Sequence, residues 1–112
     1  MSGISTHVLD TASGRPVRGL RLHLDKHVEG HWLTVREATT NADGRVDGKM
    51  ATDDLSEGTW RMVFHTGEWF DSASVEAFYP VVRVVFRVAD STQHYHVPLL
   101  LSPFGYSTYR GS

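Results

Sequence analysis

Residues 81–88 read VVRVVFRV, and the way this run alternates decides the fold. In an extended chain Val82, Val84, Phe86 and Val88 fall on one face, and Val81, Arg83, Val85 and Arg87 on the other. The spacing predicts a strand with one apolar face and a second that is partly apolar. Working outward, the same period of two recurs. It marks Ile4 to Leu9, then Leu20, Leu22 and Leu24 against Arg21, His23 and Asp25. It continues in His31 to Thr39, with Trp32, Thr34 and Arg36 opposite Leu33, Val35 and Glu37. Thr59 to His65, His94 to Leu101 and Tyr106 to Arg110 complete the series.

Between these runs lie turn formers: DTASGRP at 10–16, TNADG at 40–44 and SPFG at 102–105. Residues 46–57 (VDGKMATDDLSE) are polar and irregular, with room for one short strand. Glu68 to Ser74 (EWFDSAS) is the one helical stretch, too short to stand alone and so expected to dock on a sheet. Pro98 inside a strand pattern calls for an edge, a bulge or a first ladder position. Seven or eight short strands with regularly spaced turns predict an all-β, two-sheet sandwich.

With 112 residues, 40% of them hydrophobic, the chain supports one modest core, so a single domain over 1–112 is expected. Eleven Lys and Arg against thirteen Asp and Glu are scattered, which argues against a nucleic-acid partner. No apolar run approaches a membrane span of about 18 residues, and the first residues lack a secretory pattern, so a cytoplasmic protein with no membrane partner is expected. The absence of cysteine excludes disulfides, thiolate catalysis and cysteine-ligated metal.

Seven histidines are many for this length. His94 and His96 flank Tyr95, so in a strand both imidazoles leave the same face. Three readings stay open for them. They pack across strands; or with His7 they ligate zinc, leaving an open position; or they perform metal-free acid/base chemistry on a water. His23, His27, His31 and His65 fall on polar faces or near turns and read as solvated residues. Arg45 directly follows the Asp-Gly turn; it is either a solvated turn residue or a planar fork suited to the edge of a flat polar heterocycle. Ser102, Ser107 and Thr108 are nucleophiles in composition only, since no GxSxG, phosphate loop or HExxH surrounds them. Asp10 reads as a turn former.

Three segments carry a family resemblance: STHVLDTASGRP at 5–16, TNADGR at 40–45, and HYHVPLLLSPFGYSTYRGS at 94–112, with FYPVVRVVF at 78–86 adding to it. On these residues the chain resembles the transthyretin-like 5-hydroxyisourate hydrolases, and the terminal YRGS sets it apart from the hormone carriers of the same fold. The resemblance implies an eight-stranded transthyretin-like sandwich with one short helix, and a homotetramer whose dimer–dimer interface holds the sites. It also implies hydrolysis of 5-hydroxyisourate in urate degradation, with no cofactor and no metal. His7, Arg45 and His96 take the catalytic positions on this basis, and His7, Arg45, Ser107, Tyr109 and Ser112 the substrate-binding ones. Along the terminal strand, alternation places Ser107 and Tyr109 toward the pocket and Tyr106, Thr108 and Arg110 away from it. Three rivals remain: a non-catalytic carrier of a flat ligand, a histidine-ligated zinc hydrolase and, last, a purely structural sandwich module.

Overall fold

A computed structural model of the chain describes residues 2–52 and 55–112. The elements run β1 (Gly3–Asp10), β2 (Arg15–Pro16), β3 (Arg21–Val28), β4 (His31–Thr39), β5 (Gly58–Phe64), α1 (Thr66–Ser72), β6 (Val82–Val88), β7 (His94–Ser102) and β8 (Gly105–Thr108). They form two four-stranded sheets ordered β2-β1-β7-β8 and β4-β3-β5-β6. This is the expected all-β sandwich, and the apolar faces of the two sheets meet in its core. Leu22 and Leu24, Trp60, Met62 and Phe64, and Val82, Val84 and Val88 come from one sheet, Ile4, Val8, Tyr95, Val97, Leu99 and Leu101 from the other. Val85, on the opposite face of β6, is 58% exposed, so the alternation in VVRVVFRV separates core from surface as expected.

One pairing is non-local in a way local sequence does not announce. β1 runs parallel to β7, with Ser5 opposite His96 and His7 opposite Pro98. Every other strand pair is antiparallel.

Several expectations need correction. The β3–β4 register shifts at Leu24/Asp25: Arg36 pairs with Leu24 and Thr34 with Asp25, leaving Val35 as an extra residue. Trp32, Thr34 and Arg36 therefore do not share one face, because a bulge inverts the alternation. The turn-prone DTASGRP contains the two-residue β2. In 46–57 the described residues form a single bridge, Ala51 to Ile4, and not a strand; Asp53 and Asp54 lie outside the described residues. The helix begins two residues before Glu68 and ends at Ser72; as expected it docks, burying Phe70, while Trp69 Nε1 donates to the Arg18 carbonyl at 2.9 Å. His23 and His65 are not free surface residues: both are half-buried, with His23 Nδ1 and His65 Nε2 3.1 Å apart. Among the described residues no helix is long and apolar enough to cross a membrane.

Pro98 sits in a central strand, yet its position is locally an edge. The β7–β8 register ends with Leu99 opposite Thr108, so the next pair would be Pro98 with Tyr109. Pro98 has no N–H to offer, and the ladder stops there. Thr108 Oγ1 closes the end by donating to the Pro98 carbonyl at 2.7 Å. The strand expected to reach Arg110 therefore ends at Thr108.

Candidate active site

The outer face of the sheet β2-β1-β7-β8 is built by alternation. In β1, Ile4, Thr6 and Val8 are buried, which leaves Ser5 and His7 on the side away from the core. In β7, Tyr95, Val97 and Leu99 are buried, which leaves His94 and His96 on that same side. The parallel register then brings the two sets together. Ser5 Oγ lies 2.7 Å from His94 Nε2 and 2.9 Å from His96 Nδ1. His94 Nδ1 is buried without a hydrogen-bond partner.

The loop after β4 delivers Arg45 to this face. Asn41 organises the turn: its side-chain oxygen accepts from the main-chain N–H of Asp43 at 2.9 Å and of Arg45 at 3.2 Å. The Gly44 N–H donates to the Asn41 carbonyl at 3.0 Å, and the Val8 N–H donates to the Gly44 carbonyl at 2.8 Å. The loop is thus hydrogen-bonded to β1 at the residue after His7. Gly44 is required here, because its φ is +73° and a Cβ would collide with the Val8 carbonyl.

Burial, and then the Arg45 charge, push the His7 pKa below its ordinary value; the Asp43 main chain and carboxylate pull the other way. The His96 pKa is also lowered, by burial first, then by Arg45, His94 and His7, against a weaker pull from the Ser5 main chain. Arg45 thus acts on both rings, and His7 acts on His96 as well. Burial and the Lys49 charge lower His94 as well. At neutral pH these rings favour their neutral forms, the state in which an imidazole nitrogen accepts a proton.

The terminal segment is docked rather than frayed. After the break at Pro98 it returns to the same register: Gly111 bridges His96, its N–H donating to the His96 carbonyl at 2.8 Å. Arg110 clamps this return, stacking 4.3 Å over the Tyr95 ring and donating to Gln93 Oε1 at 3.0 Å and to the His94 carbonyl at 3.3 Å. Ser107 pairs with Leu100 and so lies on the outer face with His96. Tyr109 is 57% exposed and lines, with Thr108 and Arg110, a cavity of about 290 Å³ against β6. Alternation alone had separated Tyr109 from those two neighbours, and it fails because β8 ends at Thr108, just before Tyr109. Ser112 is exposed. Tyr106 packs edge-on against Tyr79 with ring centroids 5.3 Å apart.

The structure therefore gathers His7, Arg45 and His96 and adds Ser5, which sequence reasoning did not single out. The signal was present: Ser5 stands two residues before His7 and shares its face. Among the described residues no group of three or more His, Cys, Asp or Glu side chains is arranged to hold a metal ion. His94 and His96 each have a ring nitrogen committed to Ser5 Oγ.

Known proteins match this architecture along its length. The model of the HIUase/Transthyretin family matches residues 4–111. The chain is 50% identical to 5-hydroxyisourate hydrolase 2 of Rhizobium meliloti, over 97% of this chain and 95% of that protein. The structure of Klebsiella pneumoniae 5-hydroxyisourate hydrolase superposes with a TM-score of 0.83 at 36% identity, covering 100% of this chain and 94% of that one. Sea bream transthyretin in complex with thyroxine superposes with a TM-score of 0.90 at 27% identity, covering 96% and 93%. This chain belongs to the HIUase/Transthyretin family.

Proposed function

We propose that this chain is a hydrolase that opens the six-membered ring of 5-hydroxyisourate, yielding 2-oxo-4-hydroxy-4-carboxy-5-ureidoimidazoline in urate degradation. The observation that carries the reading is the meeting of His7, Arg45 and His96 on one sheet face, in a chain half identical to a protein named for this activity. The polar, histidine-rich face suits a flat oxidised purine better than an apolar hormone, which weighs against the carrier reading. The involvement of the His94 and His96 nitrogens with Ser5 weighs against a three-histidine zinc site.

In the mechanism, water adds to the ring carbonyl carbon and the carbon–nitrogen bond breaks. One water proton leaves through a histidine, and the departing nitrogen is protonated in turn. Arg45 grips the polar edge of the heterocycle and offsets negative charge developing on oxygen. His7 and His96 position and activate the water. Ser107 and Ser112 complete the pocket, while Tyr109, expected to join them, lies in this chain against β6. The chain acts as one domain over 1–112 within a homotetramer, with its sites at the dimer–dimer interface. An assembly of this kind is supported by the exposed rings of Phe104, Tyr106 and Tyr109 in the terminal segment, apolar surface that a second copy would cover.

The test generates 5-hydroxyisourate in place from urate and follows its ultraviolet decay. The chain accelerates the decay, and His7→Ala, His96→Ala and Arg45→Ala each slow it by about 10²- to 10⁴-fold. Decay at the uncatalysed rate with wild-type protein refutes the hydrolase reading; a wild-type rate in any variant removes that residue from the mechanism.

A further inference from the structure

The trio His94, Ser5 and His96 has more hydrogen-bonding constraints than freedom. A neutral imidazole carries one N–H, and a hydroxyl has one hydrogen to donate. His94 Nδ1 is buried with no partner, while its Nε2 lies 2.7 Å from Ser5 Oγ. A buried N–H without an acceptor is rarer in proteins than an unused acceptor, so the His94 proton belongs on Nε2, donated to Ser5 Oγ. The Ser5 hydroxyl then has its own hydrogen to place, and His96 Nδ1 is 2.9 Å away.

We infer that Ser5 and His94 are positioning residues: they form a one-way relay, His94 Nε2–H to Ser5 Oγ–H to His96 Nδ1, that fixes His96 in the tautomer carrying its proton on Nε2. The reverse direction strands the His94 hydrogen on buried Nδ1. A proton on His96 Nδ1 makes Ser5 Oγ accept twice and leaves its hydrogen without an acceptor in the trio. Three hydrogens share two hydrogen bonds, and the forward relay is the arrangement that leaves the spare one on His96 Nε2, outside the trio, and not on the buried His94 Nδ1.

The consequence rests on the hydrolase reading above and divides its two histidines. The one lone pair of His96 is occupied by Ser5, so His96 is not free to take a proton from water. It presents Nε2–H instead, a donor to charge building on the substrate. The base is His7. Two imidazoles thus take opposite roles because only one is wired to a hydroxyl.

The tautomer is readable without substrate, from ¹⁵N shifts of the histidine rings in labelled protein at pH 8. The expected spectrum shows His96 protonated on Nε2; Ser5→Ala loses that preference and Ser5→Thr, which keeps the hydroxyl, retains it. In turnover, Ser5→Ala lowers kcat about tenfold with little change in KM, the size of one neutral hydrogen bond, and Ser5→Thr restores most of it. Wild-type His96 protonated on Nδ1 overturns the relay, and this arm stands even if Ser5→Ala does not fold. An unchanged tautomer or kcat in a folded Ser5→Ala removes Ser5 as the positioning group. Inactivity of the wild-type protein on 5-hydroxyisourate refutes the hydrolase reading while leaving the ring spectra to judge the relay.

Discussion

Gly111 lies against the ring of His96: a Cβ at residue 111 would stand 2.5 Å from His96 Cδ2, while the Gly111 N–H donates to the His96 carbonyl at 2.8 Å. The second residue from the end of the sequence thus sets the space around a proposed catalytic imidazole. Gly111→Ala must displace either the ring or the tail. The expected result is loss of most hydrolytic activity with a thermal midpoint close to wild type, since the core is untouched. Deleting Arg110 to Ser112 should act the same way and more strongly. Activity measured beside thermal unfolding decides it; full activity in Gly111→Ala shows that His96 and the tail tolerate separation.

The Arg45 charge makes a specific statement about pH. It lowers the pKa of both His7 and His96, which must be neutral for His7 to accept a proton. Wild-type activity should therefore fall on the acid side with a midpoint below the ordinary histidine value of about 6.5. Replacing Arg45 by Ala or Gln removes the repulsion, so the midpoint of the residual activity moves upward. A pH–rate profile of wild type and variant checks this, and a midpoint that stays or moves downward counts against Arg45 acting on these rings.

Stability carries its own pH signature. His7, His65, His94 and His96 all bind a proton less readily in the folded chain than in the unfolded one, with burial the leading cause each time. Stability is thus full above the unfolded value near 6.5 and is lost as pH falls from there through the lowered folded values. Melting temperatures between pH 8 and 5 should hold level at first and then decline below about pH 6.5. A midpoint constant to pH 5 would remove these histidines as a source of acid lability.

Gly44→Ala tests the loop that carries Arg45. The substitution adds a Cβ at φ +73° directly against the Val8 carbonyl. A cost of about 1–3 kcal/mol in unfolding free energy is expected, together with reduced activity as Arg45 shifts. Gly14, also at positive φ but with open space around it, is the control: Gly14→Ala carries backbone strain without the collision and should leave activity intact.

Much of this arrangement was legible beforehand because alternation is local. The buried and exposed sides of β1, β6 and β7 follow from reading every second residue, and the histidines of HYH share a face for the same reason. Legibility failed where a single residue interrupts the period. Val35 inverts the faces of β4, and Pro98 stops β8 before Tyr109. His23 and His65 each read as solvated because their partnership spans 42 residues of sequence.

The amino-acid sequence by itself determined that this is an all-β chain, which side of each strand is apolar, and that His7, Arg45 and HYH are its chemically distinctive residues. Side-chain direction in a strand needs only the nearest neighbours. The tertiary structure decided that β1 lies parallel to β7, and with it that Ser5 reaches both His94 and His96. It also decided that the tail re-pairs at Gly111 after the proline break. Such pairings join segments some ninety residues apart, or wait on which ladder hydrogen a proline lacks, and they are set by the packing of two whole sheets rather than by any stretch read alone.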